Sequence, residues 1–236
     1  IGQEIKMYQD DPNWKVFFNL LGAFYSRHPV RIDIAGTIDS ISKIDRETLY
    51  KCYNTFYHPS NMIVLVVGDV SPERVFERIE ASIEKTDKLP SIKRIFPEEP
   101  EKINKIYVEE SLAVSIPMFQ LGYRDNFRTD DGFELLKREV AVKLLLNMLV
   151  GRSSKLYEEL YSRGLINSTF GVDFTIEKEY GFSVMGGESV NPEAVRERFC
   201  RAVEGAKKNG LNHDDYDRIL RSMIGRYMRQ FNYVEL

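Results

Sequence analysis

Val70-Ser-Pro-Glu-Arg-Val-Phe-Glu-Arg-Ile-Glu80 returns 120 residues later as Val190-Asn-Pro-Glu-Ala-Val-Arg-Glu-Arg-Phe-Cys200. Six of the eleven positions are identical: Val, Pro, Glu, Val, Glu and Arg. Both copies carry a capping residue, then a proline, then an acid in the first turn, the order that starts a helix. Each follows a short apolar stretch that reads as a strand, residues 62–67 before the first and 182–185 before the second. A Pro-Glu helix start is common chemistry by itself. A strand-turn-helix order recurring at one offset points to duplication.

Outward from the first copy, residues 1–25 are helical in pattern, with Asp11 placed as an N-cap and Pro12 as a first-turn residue. Trp14, Phe17, Phe18, Leu21, Phe24 and Tyr25 recur behind them as one apolar stripe. After a loop with His28-Pro29 and Gly36, the spacing predicts a helix over 42–57, broken by His58-Pro59-Ser60-Asn61. Met62-Ile-Val-Leu-Val-Val67 is short, β-rich and bounded by turn residues, the pattern of a fully buried strand. Pro90, Pro97 and Pro100, set among charges, mark an extended connector.

Beyond the connector, Ile106/Val108 and Leu112/Val114/Ile116 alternate and predict two strands turning at Glu109-Glu110-Ser111. A strongly apolar helix is expected over 131–150, a turn into a helix over 151–160, and strands around 170–175 and 180–185. The second copy's helix and a final helix over 212–233 complete the pattern. The fold expected is α+β: two tandem homologous domains, antiparallel or mixed sheets packed against helices, both truncated. The C-terminal part of the first occupies 1–85, a connector 86–105, and most of the second 106–236.

The 236 residues are 43% hydrophobic and 12% aromatic, enough to bury a core and to exclude intrinsic disorder. A net charge of −3 offers no basic face for nucleic acid. Two cysteines, Cys52 and Cys200, cannot form a disulfide framework and suit a reducing compartment. No apolar run approaches the ~20 residues of a membrane span, and no signal peptide is visible, so a cytoplasmic protein is expected. The first residue is Ile1, inside a helical pattern, which reads as a piece of something larger.

Simple catalytic signatures are missing. Gly151-Arg-Ser-Ser-Lys155 lacks the second glycine of a phosphate loop. Gly181 and Gly186-Gly187 lie in a strand-like stretch and do not open a helix, as a dinucleotide fingerprint must. Cys52 and His58 could be a nucleophile and base in principle, but a helix-buried cysteine and a turn histidine beside proline are ordinary structural residues. His28 reads the same way. No H-E-x-x-H or H-x-x-E-H pattern occurs, so local spacing builds no protease zinc site.

The chain nevertheless resembles the insulinase (pitrilysin) family of zinc metallopeptidases, processing peptidases included. The resemblance rests on Gln3-Glu4-Ile5, Asp11-Pro12, His28-Pro29, Ala35-Gly-Thr-Ile-Asp-Ser-Ile41, Phe56-Tyr57 with Asn61-Met62, Gly68-Asp69-Val70 and Gly151-x-Ser-Ser-Lys-Leu156-x-x-x-Leu160, in that order. It implies tandem α+β domains and a zinc held by two histidines of an inverted H-x-x-E-H helix, with a glutamate on a later helix as third ligand. That third ligand falls on Glu4. Catalytic zinc takes three protein ligands and leaves a fourth position for water. The other ligands and the general base would precede Ile1, so the chain alone is expected to bind no zinc and to be inactive.

Active relatives often carry an Arg after the Leu of the second-half element and a Tyr one or two turns later, both of which hold substrate and the developing oxyanion. Here Leu160 is followed by Tyr161, and the later position falls on Asn167 or Ser168. The pattern resembles the zinc-bearing member of a pair whose homologous partner subunit supplies the Arg/Tyr pair. The implied parent is a zinc metalloendopeptidase acting on peptides or small proteins, with no nucleic-acid or membrane partner. The alternative is a non-catalytic scaffold or partner subunit of the same family.

Overall fold

A computed structural model describes residues 1–83 and 87–233. The domain boundary expected between 85 and 86, and the last residues, 234–236, lie outside the described residues. The chain divides into two compact units, Ile1–Ala35 with Phe96–Gly225, and Gly36–Ile95 with Arg226–Leu236. Among the described residues no helix is long and apolar enough to cross a membrane.

The first unit opens with α1 (Gly2–Asp10) and α2 (Pro12–Phe24). The second unit holds α3 (Ile38–Ser42), α4 (Arg46–Phe56) and α5 (Pro72–Ser82). The first resumes with β1 (Met118–Arg124), α6 (Gly132–Val150), α7 (Lys155–Ser162), β2 (Gly171–Ile176), β3 (Gly181–Glu188) and α8 (Pro192–Asn209). α9 (His213–Gln230) follows and passes into the second unit at Arg226.

The three strands form an antiparallel sheet in the order β1-β3-β2, with Leu121 of β1 and Val172 of β2 both opposite Met185. Successive side chains of a strand point to opposite faces, and β3 divides two cores on that rule. Met185 joins Leu160, Phe170, Phe174, Val195 and Phe199 on one face, under α6, α7 and α8. Phe182 joins Leu21, Phe24 and Tyr25 on the other, under α2. The molecule is thus helices plus a small antiparallel sheet, as the composition of α and β patterns led one to expect.

Helix starts follow their residues closely. The Asp11 carboxylate accepts from the amides of Asn13 (2.8 Å) and Trp14 (3.5 Å), with Pro12 at the first helical position. Asp131 caps α6 through Phe133, and Ser154 caps α7 through Tyr157. The two copies of the repeated segment start alike: Ser71 accepts from Arg74 at 3.5 Å and Asn191 from Ala194 at 3.0 Å. Their packing differs. Val195 and Phe199 of α8 are buried, whereas the equivalent Val75 and Ile79 of α5 are only half-buried. The helix expected over 42–57 forms as α4, which starts later, capped by Asp45, and a separate short α3 precedes it, opened by a Thr37/Ser40 capping box.

Three expected strands are not formed. Residues 62–67 are extended but unpaired, with Ile63 94% and Leu65 83% exposed. An all-apolar strand belongs in the middle of a sheet, and it needs neighbours on both edges to satisfy its amides and carbonyls. None of the described residues supplies them. Residues 106–116 likewise join no ladder, and Ile106 is exposed. That stretch is tied down by a side chain instead: Glu110 accepts from Lys15 at 2.8 Å and Asn19 at 2.9 Å on α2. Cys52, expected to be buried in its helix, is exposed on α4.

Candidate functional site

Glu4 stands in the first turn of α1, exposed, with no hydrogen bond or ion pair among the described residues. The residue after it, Ile5, is 2% exposed and is the buried anchor of this short helix. One turn on, the Tyr8 ring stacks on Trp14 of α2 with centroids 4.8 Å apart. Asp11 is both the end of α1 and the cap of α2, so one residue sets the corner between them. The Trp14 indole N–H donates to Asp33 Oδ2 at 2.6 Å, and Asp33 Oδ1 accepts from the Ala35 amide at 2.9 Å. Sequence reasoning placed Glu4 by resemblance and missed Asp33, whose one local signal is an Asx-turn spacing to Ala35.

Tyr161, Asn167 and Ser168 gather elsewhere, around the end of α7. The exposed Tyr161 ring stacks on Tyr157 at 6.0 Å. Asn167 donates to Glu188 Oε2 at 2.5 Å, and its carbonyl oxygen accepts from the Thr169 amide and hydroxyl at 2.9 and 2.6 Å. The Thr169 hydroxyl in turn accepts from the Glu188 amide at 3.0 Å, and Ser168 O accepts from Arg152 at 3.3 Å. These contacts staple the loop before β2 to the end of β3. Among the described residues no hydrogen bond, ion pair or ring contact joins this loop to Glu4. Ser153 of the same Gly151 element accepts from Arg218 of α9 at 2.6 Å.

The histidines take structural positions. His58 Nδ1 accepts from the Ser60 amide at 3.2 Å, and His28 Nδ1 from the Val30 amide at 3.1 Å; each caps a 3-10 turn begun by proline. His28 is buried between Phe96 (centroids 5.2 Å, nearly parallel) and Tyr180 (5.1 Å), and its Nε2 has no hydrogen-bond partner among the described residues. Beside it, the Glu99 carboxylate accepts from three successive amides, Ser26 (2.6 Å), Arg27 (2.8 Å) and His28 (2.6 Å), and from the Ser26 hydroxyl (3.0 Å). This is an anion nest. Sequence offered no sign of it, because the two halves are over seventy residues apart. Among the described residues no group of three His, Cys, Asp or Glu side chains is gathered closely enough to hold a metal ion.

The nest gives the first unit an acid sensitivity with a definite sign. Burial lowers the His28 pKa from its ordinary 6.5, Glu99 and Glu179 opposing and Arg128 assisting. The unfolded chain therefore binds a proton that the folded one refuses, and stability falls as pH drops below about 6.5. Burial works to raise Glu99, but its amide hydrogen bonds outweigh it and hold the carboxyl below its ordinary 4.5. That contribution is present above about 4.5 and is lost as pH falls through the folded value. Urea denaturation followed by Trp14, the single tryptophan, should show a two-step loss. His28→Asn, which keeps an acceptor for the Val30 amide, should flatten the upper step. Parallel curves for the two proteins count against this account.

Comparison with known proteins settles the family. A family model described as the peptidase M16 inactive domain matches residues 43–223. The chain belongs to the M16 peptidase family. It is 44% identical over 200 residues to YmfH, named an uncharacterized zinc protease, of Bacillus subtilis (strain 168), covering 84% of this chain and 46% of that protein. It is 26% identical over 218 residues to the zinc protease PqqE of Helicobacter pylori (strain ATCC 700392 / 26695), covering 89% of this chain and 48% of that one. The crystal structure of an M16-like peptidase from Alicyclobacillus acidocaldarius superposes with a TM-score of 0.92 at 30% identity, over 99% of this chain and 56% of that one. The M16 chain thus spans about half the length of the curated relatives it matches.

Proposed function

We propose that this M16 chain is part of a zinc-dependent endopeptidase of peptides or small proteins, in which Glu4 is the third protein ligand of the metal. The supporting observation is the state of Glu4: an exposed carboxylate without a partner among the described residues, on a helix anchored by Ile5. A carboxylate oxygen is a suitable zinc donor, and one carboxylate is not a complete set. Bound zinc supplies a water of pKa near ~7 and polarises the scissile carbonyl. The role of this chain is to hold one ligand and to form part of the wall that encloses the peptide. In this reading 1–85 is the end of one domain, 86–105 a connector and 106–236 most of a homologous second domain. The like-capped helices α5 and α8 support it. Two free cysteines favour a reducing compartment, the cytoplasm.

Tyr161, Asn167 and Ser168 stand where active relatives carry Arg and Tyr, and the Asn167 side chain is already committed to Glu188 and Thr169. A homologous partner subunit is therefore proposed to supply those donors, whose loss costs ~10²–10³ in rate at an oxyanion site. The test is zinc content and peptide hydrolysis of the full-length protein, alone and with a homologous subunit. Glu4→Gln should weaken zinc at least tenfold, by about the upper part of the range seen for changes around a metal site. Unchanged zinc affinity removes Glu4 from the site, and full activity without a partner removes the partner. Calorimetry of the 236-residue chain should find no stoichiometric zinc; a tight site there overturns the assignment.

A further inference from the structure

α1 is nine residues long, below the length at which a helix holds itself together in water. Its pose must come from its contacts, and these are few: the burial of Ile5, the corner at Asp11 and the stack of Tyr8 on Trp14. Tyr8 is four residues after Glu4, so both lie on one face of the helix, a turn apart. The plane of Trp14 is therefore one of the restraints that set the direction in which Glu4 is presented, alongside Ile5 and the Asp11 corner. The indole is flanked on its other side by Phe18, 5.0 Å between centroids, but ring contacts alone allow it to slide. The one directional restraint is the 2.6 Å hydrogen bond to Asp33, whose second oxygen is itself fixed by the Ala35 amide.

We infer that Asp33, acting through Trp14, is a positioning residue for Glu4 as a metal ligand. The inference rests on the reading of Glu4 proposed above. Asp33 lies nineteen residues from Trp14 and touches neither Glu4 nor its helix by any hydrogen bond or ion pair. Its effect on a metal is carried by the rotation of α1. Groups that orient a ligand from outside the coordination sphere commonly change metal affinity by about 10–100-fold when removed.

The experiment uses the full-length protein, with zinc affinity measured by chelator competition, the visible spectrum of the cobalt-substituted form, and the melting temperature of the metal-free protein. Asp33→Ala and Trp14→Phe should each weaken zinc by about tenfold and alter the cobalt spectrum. Trp14→Phe keeps an aromatic ring against Tyr8 but loses ring area together with the N–H, so Asp33→Ala, which leaves the indole in place, is the variant that separates orientation from packing. Asp33→Asn retains an acceptor and should restore affinity to within about twofold of the unmodified protein. If Asp33→Ala and Trp14→Phe lower the melting temperature but leave zinc affinity and the cobalt spectrum alone, Asp33 is a brace and the inference falls. If Glu4→Gln leaves zinc affinity unchanged, the underlying reading of Glu4 falls instead, whatever Asp33 does.

Discussion

Arg124→Ala should destabilise the first unit by about 3–5 kcal/mol, the cost of breaking a buried ion pair from one side. Arg124 ends β1, and its side chain is 3% exposed. Its guanidinium donates to Phe24 O at 3.2 Å, to Pro100 O at 2.5 Å, to Glu101 O, and through Nε to Asn126 Oδ1 at 3.0 Å. It lies 3.8 Å from the Glu99 carboxylate and over the Tyr25 ring. One planar fork thus joins the end of α2, the strand β1 and residues 99–101. Alanine leaves Glu99 in its nest without a cation and three carbonyls without their donor. Arg124→Lys retains the charge but not the fork, and should recover less than half of the loss. Urea denaturation followed by Trp14 fluorescence gives the difference in midpoint. A change below about 1 kcal/mol would mean that the group behaves as a surface pair.

This hub also shows where sequence reading stops. Asp11, Asp131, Ser154 and Asn191 act on amides two or three residues away, so their capping roles are legible in the order of residues alone. Two of the three strands were legible from β-rich runs between turns, β2 and β3 standing close to where the pattern put them, whereas β1 at Met118–Arg124 was missed, the pattern having put its strands at 106–116 instead. Residues 62–67 have an equally strong pattern and no ladder, because pattern states what a strand requires and not which neighbour provides it. Glu99 and Arg124 were illegible for a related reason. Their partners are backbone groups, and every residue has those. Glu4 is proposed as a ligand on family resemblance alone, since an exposed carboxylate among 36 acidic residues carries no local mark.

Gly186→Ala should cost about 3 kcal/mol, at the upper end of the range for overpacking. Gly186 sits in the central strand between Gln120 of β1 and Gly171 of β2. A Cβ there would lie 2.1 Å from Phe119 O and 2.9 Å from the Gln120 Cα, both backbone atoms that no rotamer change can move. Relief requires β1 to part from β3, which would withdraw Phe119 and Leu121 from the core around Met185. Gly187 is constrained as well, with φ at 155° and a Cβ site 2.8 Å from the Phe170 Cα. The control is Gly205→Ala in α8, where a new Cβ meets nothing within 4 Å. Alanine should stabilise that helix by about 0.5–1 kcal/mol, through lower chain entropy in the unfolded state. The same substitution therefore takes opposite signs at two glycines, and urea midpoints of the two variants report it. A wild-type midpoint for Gly186→Ala would show that β1 can yield without disturbing the core. A lowered one identifies the paired glycines, which sequence could only exclude as a nucleotide fingerprint, as the point where three strands are brought into contact.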